Sequence, residues 1–168
     1  AGLIKAKKKH ATVYENDRAR TVDIGYVGEV TEIDTGIIVD LLNRGYVPVI
    51  APIGMGAEGE SYNINADYVA AEIAGALHAE KFLLLTDVEG VYKDFGDKSS
   101  FLSQLHMDEA KEYIRSGVIA GGMIPKVEAC LRALEAGAHK THIIDGRLAH
   151  SIILEIFTSR GIGTMVLP

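Results

Sequence analysis

Two amides and a carboxylate lie within the five-residue segment Asn63-Ile64-Asn65-Ala66-Asp67. The segment follows a glycine-rich stretch and precedes a helical apolar pattern, and at such strand-to-helix junctions open α/β sheets bind ligands. Amides and acids buried there cost free energy unless they find partners. We interpret Asn63 as a ligand of a substrate carboxylate or amide, and Asp67 as the side chain that orients a cation. Alternatively, Asn65 caps the helix and Asp67 lies favourably in its first turn.

Lys126 follows Gly121 and Gly122, in the first turn of another predicted helix. A cation is unfavourable there because the N-terminal end of a helix is itself positive. Residues that break such a local rule are often functional. The lysine and the helix terminus would both attract an anion, which favours the transfer of a phosphoryl group. The alternative is a solvated lysine on an exposed face.

Three further patterns carry weaker signals. Thr86-Asp87-Val88-Glu89-Gly90 follows a buried type of strand, where nucleotides bind in such sheets, but it could equally be a plain turn. Gly54 to Gly59 matches G-x-G-x-x-G, yet five residues separate it from the helix, so we favour a hairpin tip over a dinucleotide site. His139 and His142 are three residues apart with no further ligand pattern, so we expect surface histidines and no metal site.

Strands and helices alternate along the chain. This order predicts an α/β fold, a three-layer α/β/α sandwich with a mostly parallel sheet, formed by residues 1–168 as a single domain. We predict strands at 26–30, 47–53, 82–85, 91–92, 141–144 and 164–167, and helices at 34–43, 65–77, 108–117, 123–136 and 148–159.

The composition narrows the class of protein. Seventeen basic and twenty-three acidic side chains leave a formal net charge of −6, which argues against nucleic acid as the main partner. The basic run from Lys5 to Lys9 fits an edge strand or a solvated arm. Cys130 is the single cysteine, lies on an apolar helical stripe and excludes an intrachain disulfide. A reducing cytoplasm is therefore favoured. No apolar run has membrane-spanning length, and no signal peptide is visible.

These motifs together resemble the amino-acid kinase family, and within it the branch that phosphorylates N-acetylglutamate in arginine biosynthesis. The resemblance runs over essentially the whole chain but covers only the C-terminal, ATP-binding part of the family fold. We therefore expect the substrate and phosphate-loop part to lie outside this chain, and the chain alone not to be a competent enzyme. The matching strings are Asp23–Gly28, Pro48–Gly54, Asn63–Asp67, Leu84–Val91 and Gly121–Lys126.

The resemblance implies a role for each matched residue. Asn63 and Asn65 would bind N-acetylglutamate, and Asp67 would hold the catalytic lysines. Lys126 would stabilise charge on the phosphoryl group in transit from ATP, with Mg²⁺ bound through the ATP phosphates. The implied nucleotide-binding residues are Asp87, Val88, Glu89, Gly90, Val91, Tyr92, Val118, Ile119 and Ala120.

A second set of residues resembles the signature of arginine-inhibited members of the family. His150, Glu155, Gly161 and Gly163 would form the effector site, with Glu155 pairing with the arginine guanidinium. The alternative is an ordinary amphipathic helix with one exposed glutamate. The resemblance also implies a homo-oligomer when the protein is complete, and a PII-type nitrogen-signalling protein as a further partner.

The activity expected from the resemblance is ATP-dependent phosphorylation of the γ-carboxylate of N-acetyl-L-glutamate. Two alternatives stay open from the residues. One is a non-catalytic module that binds a nucleotide or arginine and regulates. The other is a kinase whose substrate is an N-blocked aminoadipate.

Overall fold

The computed structural model describes residues 2–15, 18–159 and 161–168. Its internal contacts divide it into two compact units, Ala1–Ile73 and Ala74–Pro168. The strands are β1 (Ile4–Glu15), β2 (Arg18–Ile33), β3 (Ile53–Met55), β4 (Ser61–Asn63), β5 (Phe82–Thr86), β6 (Val91–Tyr92), β7 (Phe101–Leu102), β8 (Gln104–His106), β9 (Thr141–Asp145) and β10 (Thr164–Leu167). The helices are α1 (Gly36–Asn43), α2 (Ala66–Ala76), α3 (Met107–Arg115), α4 (Met123–Glu135) and α5 (Ser151–Phe157).

A long antiparallel ribbon of β1 and β2 dominates the first unit. Three ion pairs join the two strands side by side: Lys5 with Glu32 at 2.8 Å, Lys7 with Glu29 at 2.9 Å, and Lys8 with Asp23 at 2.5 Å. Cross-strand pairs of opposite charge stabilise such a ribbon where its faces meet water. Of the two interpretations of the Lys5–Lys9 run, the strand is confirmed, as part of a much longer strand, but Lys5 also pairs with Met55 of β3 and so does not lie at an edge.

The base of this ribbon closes into a small barrel. β3 pairs in parallel with β1, β4 pairs in parallel with β2, and β3 and β4 pair with each other in antiparallel register. Side chains of these strands and of α2 form a core that is shielded from water, and such burial is the main stabilising term for so small a sheet. Its buried members are Ile4, Ala6, Tyr62, Ile64 and Val69.

The turn between β3 and β4 contains the G-x-G-x-x-G pattern. The N–H of Gly56 donates to the carbonyl of Glu60 at 2.8 Å, and Gly59 has φ of +90°, a value that a residue with a Cβ rarely adopts. The hairpin predicted for this stretch is thus confirmed. The strand predicted at 47–53 is wrong, because only Ile53 of that range is in a strand and the whole range is described.

A four-stranded sheet forms the centre of the second unit, in the order β5-β9-β10-β8. β5 runs parallel to β9 and β10 runs parallel to β8, while β9 and β10 are antiparallel, so two of the three pairings are parallel. β6 and β7 form a separate two-stranded ribbon. The predicted strands at 82–85, 141–144 and 164–167 are confirmed.

The helices of the second unit cover this sheet. α4 contacts β5, β9 and β10, and its inward face is fully buried at Val127, Ala129 and Cys130. The packing role predicted for Cys130 is therefore confirmed. α3 begins at Met107 with His106 as its N-cap, so Asp108 lies in its first turn and is not its cap. None of the helices in the described ranges is long and apolar enough to cross a membrane.

Candidate functional site

A cavity of about 340 Å³ in the second unit gathers residues from two separate stretches of chain. This volume lies within the range of pockets that bind small molecules. Eight of the nine predicted nucleotide residues line it, together with Lys126. The described lining consists of Asp87, Val88, Gly90, Val91, Tyr92, Phe95, Val118, Ile119, Ala120, Gly122, Met123 and Lys126.

The first wall begins where β5 ends. The buried hydroxyl of Thr86 accepts a hydrogen bond from the N–H of Val88 at 3.1 Å and lies 3.3 Å from the carbonyl of Ile144. Side-chain bonds of this kind replace a strand ladder and turn the chain sharply. The turn brings Asp87 and Val88 to the cavity at the carboxyl end of the strand.

Thr164 fixes the next part of this wall. Its fully buried hydroxyl accepts the N–H of Val91 at 2.8 Å and donates to the carbonyl of Leu102 at 2.6 Å, which ties β6 and β7 to the start of β10. Gly90 lies so close that a Cβ there would stand 2.5 Å from the Thr164 oxygen. Only glycine fits this approach without displacement, so the residue types at 90 and 164 are matched.

The second wall is the connection between α3 and α4. Ile119 is buried, and its N–H donates to the carbonyl of Tyr113 at 2.9 Å. The chain then passes Gly121, with φ of +56°, into α4. Lys126 is half-buried in the first turns of that helix and lines the cavity. Lys126 and the start of α4 therefore both line this cavity, and both would attract an anion.

Glu89, the ninth predicted nucleotide residue, forms a cluster with Tyr92 and Lys98. Its carboxylate accepts hydrogen bonds from the Tyr92 hydroxyl and from Lys98, the latter at 2.8 Å. The bond from Lys98 and then that from Tyr92 lower the pKa of Glu89, so this carboxylate stays ionised at neutral pH. The same bond to Glu89, with burial, raises the pKa of Tyr92, which keeps its hydroxyl protonated.

A second ion pair lies at the end of β9. Arg147 donates to both oxygens of Asp145, at 2.9 and 2.8 Å, and the pair lowers the pKa of Asp145 to about 2. The pKa of Arg147 is raised by Asp145 first and further by the charges of Asp87 and Glu89. The acidic groups around the first wall are thus partly balanced by one guanidinium.

The first unit carries the other predicted site residues. Asn63 is exposed at the end of β4, paired with Val27 of β2. The side-chain oxygen of Asn65 accepts the N–H of Tyr68 at 3.2 Å, so it caps α2, as the alternative interpretation proposed. Asp67 lies half-buried in the first turn of that helix. The substrate and catalytic roles of these three residues stay predictions.

Two of the predicted effector residues, Gly161 and Gly163, lie beside the buried carboxylate of a third, Glu155. Glu155 is 8% exposed, and one of its oxygens accepts the N–H groups of Ile162 at 2.7 Å and Gly163 at 3.0 Å. Gly161 lies beside it, since a Cβ there would stand 2.9 Å from the same oxygen. The alternative of an exposed glutamate is therefore wrong, while arginine binding by Glu155 stays a prediction. His150, with φ of 61°, precedes α5, which is shorter than the predicted helix at 148–159.

His142 is a residue that the sequence interpretation missed. It was expected at the surface, but it is 5% exposed, and its Nδ1 lies 2.6 Å from the second oxygen of Glu155. The prediction of a surface histidine is therefore wrong for His142, and it is confirmed for the exposed His139. The sequence signal that could have revealed the burial of His142 is its position inside the apolar strand Thr141–Ile144. Within the described ranges, no three His, Cys, Asp or Glu side chains are grouped as metal ligands.

Comparison with known proteins identifies the class to which this fold and cavity belong. Residues 1–145 match the model of the amino acid kinase family, so the chain belongs to that family. The acetylglutamate kinases of Moorella thermoacetica and Heliobacterium modesticaldum are each 56% identical to it, over 166 and 167 residues, or 99% of this chain. The chain spans 56% and 57% of the length of these two relatives.

Solved structures agree on the fold. N-acetylglutamate synthase from Neisseria gonorrhoeae, complexed with coenzyme A and L-arginine, superposes on 99% of this chain and 37% of its own, with a TM-score of 0.82 and 25% identity. A carbamate kinase of Giardia matches 98% of this chain and 59% of its own, with a TM-score of 0.70 at 19% identity. The α/β fold expected from the sequence is therefore that of an amino acid kinase.

Proposed function

We propose that this chain is the nucleotide-binding part of an enzyme that transfers a phosphoryl group from ATP to the γ-carboxylate of N-acetyl-L-glutamate. The observation that carries the proposal is the cavity that brings Lys126 together with residues 87, 88, 90–92 and 118–120. High identity to acetylglutamate kinases over 99% of the chain supports the choice of acceptor. Because the chain spans little more than half of those relatives, activity requires the rest of the fold.

The chemical task fits the groups around the cavity. A phosphoryl group in transit carries negative charge, and its transfer depends mainly on positioning and on electrostatic stabilisation. We assign the stabilising charge to Lys126 and the N-terminus of α4. Asp87 places a carboxylate in the lining, where it can face the magnesium ion that ATP brings with its phosphates. The apolar lining around Val91 and Ile119 suits the base.

Asn63 and Asn65 are the proposed ligands of the acceptor, and Asp67 is the proposed anchor of the catalytic lysines. Their amide and carboxylate groups, and their match to the family pattern, support this assignment. We also propose that the complete protein is a homo-oligomer in the cytoplasm, that arginine inhibits it, and that it binds a PII-type partner. An arginine guanidinium at Glu155 would compete with the N–H groups of Ile162 and Gly163, so we expect its binding to rearrange that turn.

Calorimetric titration of the chain with ATP, with and without Mg²⁺, tests the nucleotide site. We expect Lys126→Ala to weaken binding tenfold or more, because hydrogen bonds to charged groups are worth about 1.5–3 kcal/mol. Lys140→Ala is the matched control: this lysine is exposed and lies outside the cavity lining. A wild-type chain that does not bind ATP would refute the proposed site.

Activity requires a completed protein. The segment of the Moorella relative that this chain does not span would be fused to it, and acyl phosphate would be trapped with hydroxylamine. We expect turnover of N-acetylglutamate, little turnover of N-acetylaminoadipate, and a loss of 10²-fold or more in the Lys126→Ala fusion. Wild-type turnover in that variant would remove Lys126 from the mechanism, and a preference for the longer acceptor would replace the proposed substrate.

A further inference from the structure

Phe95 lies on the rim of the candidate nucleotide cavity and is 77% exposed. An aromatic side chain that stays in water does not gain the stabilisation that burying its large apolar area would bring. The proposed transfer of a phosphoryl group makes no use of this ring. Its position at a cavity mouth nevertheless places it where a ligand would cover it.

Neighbouring rings hold Phe95 in place. It meets the ring of Tyr92 edge to face, with the centroids 5.9 Å apart and the planes at 80°. Tyr92 is itself buried and packs against Phe101 at 5.2 Å, with the planes at 64°. An edge-to-face contact covers at most one face of the outer ring, so at least one face of the exposed Phe95 ring is available for a further stacking partner.

The loop that carries Phe95 is tied by its own hydrogen bonds. Asp94 accepts the N–H of Gly96 through its side chain at 2.9 Å, and its own N–H donates to the hydroxyl of Ser100 at 3.0 Å. The same hydroxyl lies 2.8 Å from the Asp94 carbonyl. The ring is therefore presented on an ordered loop, which lowers the entropy lost when a ligand stacks on it.

We propose that Phe95 stacks on the heteroaromatic base of the bound nucleotide and so fixes the direction in which the nucleotide lies in the cavity. The base takes the end marked by Phe95 and Tyr92, and the phosphates take the end marked by Lys126 and the start of α4. This inference rests on the proposed nucleotide site and assigns a positioning residue within it. Every base has a π-face, so stacking tolerates different bases.

Titration calorimetry on the 168-residue chain can measure the contributions of the base and of the phosphates to the binding affinity separately. The probes are ATP and inorganic tripolyphosphate, and the variants are Phe95→Ala, Phe95→Leu and Phe95→Trp. We expect Phe95→Ala to weaken ATP binding about tenfold, Phe95→Leu to recover part of it, and Phe95→Trp to retain it. Tripolyphosphate should bind all four chains equally. Phe157→Ala, which removes another exposed phenylalanine outside this cavity, should leave both affinities unchanged.

The outcomes distinguish this inference from the site on which it rests. Equal ATP affinities in the wild type and Phe95→Ala overturn the stacking while leaving the nucleotide site in place. An equal loss of ATP and tripolyphosphate affinity also overturns it, since the ring would then act on the whole cavity. If the wild-type chain does not bind ATP, the proposed nucleotide site fails and the stacking fails with it.

Discussion

Glu155 combines burial with an unusually complete set of partners. Burial by itself raises the pKa of this carboxyl, but the N–H donors of Ile162 and Gly163 and the ring of His142 outweigh it and lower the pKa below its ordinary value of 4.5. The group is therefore ionised at neutral pH and can only accept, so Nδ1 of His142 must carry the proton of their bond. One side chain thus links α5, β9 and the turn before β10.

We expect Glu155→Gln to lower the free energy of unfolding by about 1–2 kcal/mol at pH 7, because charge-assisted hydrogen bonds are replaced by neutral ones. A carboxyl whose folded pKa is lowered stabilises the fold above its unfolded pKa, and this contribution is lost as pH falls through the folded value. The difference between wild type and variant should therefore shrink below about pH 4.5. Urea unfolding followed by circular dichroism at pH 7 and pH 4 measures it.

Glu112→Gln is the control for this prediction. Glu112 pairs with Arg115 at 2.7 Å on the surface, where both side chains are mostly exposed, so its loss should cost less than about 0.5 kcal/mol. An effect of Glu155→Gln that is no larger than this, or that does not change with pH, would contradict the part assigned to the buried carboxylate.

At this scale, the residue types around the cavity were predictable, but their partners were not. Asp87 to Tyr92 and Val118 to Ala120 came from the family pattern, and all of them except Glu89 line one cavity. His142 was misplaced because its partner stands 13 residues away, on a helix, and the i, i+3 spacing with His139 carries no information about it. Such a pair is visible only after β9 and α5 are packed together.

The end of helix α2 offers a test at the scale of elements. Gly75 lies in its last turn, where a Cβ would stand 2.2 Å from the Cβ of Ala136, the residue that caps α4. Alanine should gain about 1 kcal/mol of helix propensity at such a position. The overlap should cost about 1–3 kcal/mol, so we expect Gly75→Ala to destabilise the protein, measured as a lower urea midpoint.

The double variant Gly75→Ala with Ala136→Gly checks the cause. Removing the Cβ of Ala136 relieves the worst contact, while its backbone atoms, 3.2 Å from the new Cβ, still require a small shift. The double variant should therefore be more stable than the sum of the two single effects predicts. Simple additivity of the two changes would show that the close approach of the two helices does not limit residue 75.

The elements themselves were predictable where their apolar pattern was strong. α2 and α4 have helical spacing and were found within a few residues, as were the buried strands β5 and β9. The ribbon of β1 and β2 was recognised only in fragments. Its exposed length has no alternating apolar face, and it is stabilised by ion pairs and main-chain hydrogen bonds. The apolar run at 47–53 predicted a buried strand, but an apolar pattern does not show whether a neighbouring strand is present to pair with it. Only Ile53 of this run is in a strand.

At the scale of the whole molecule, exposed apolar surface favours self-association and the net negative charge opposes it. The first unit exposes the apolar side chains of Val47 and Val49, which are 87% and 96% exposed. Val49 also lines a cavity of about 460 Å³. Contiguous apolar surface of this kind favours association. The formal net charge of −6 disfavours it by repulsion between copies. Salt screens the charge, with a Debye length of about 8 Å at 0.15 M, but leaves the apolar attraction.

We therefore expect the chain to self-associate increasingly as salt rises from about 0.05 to 0.5 M, a range over which charges become strongly screened. Val49→Lys should reduce the association at both salt concentrations. It should change stability by less than about 0.5 kcal/mol, because an exposed valine contributes almost no buried area. Sedimentation velocity across a concentration series measures the first effect, and urea unfolding measures the second.

Thr21→Lys makes the same change of charge at an exposed position of β2 and controls for charge alone. Because this change makes the net charge less negative, it should not reduce association. If both lysine variants reduce association equally, the exposed valine does not set it.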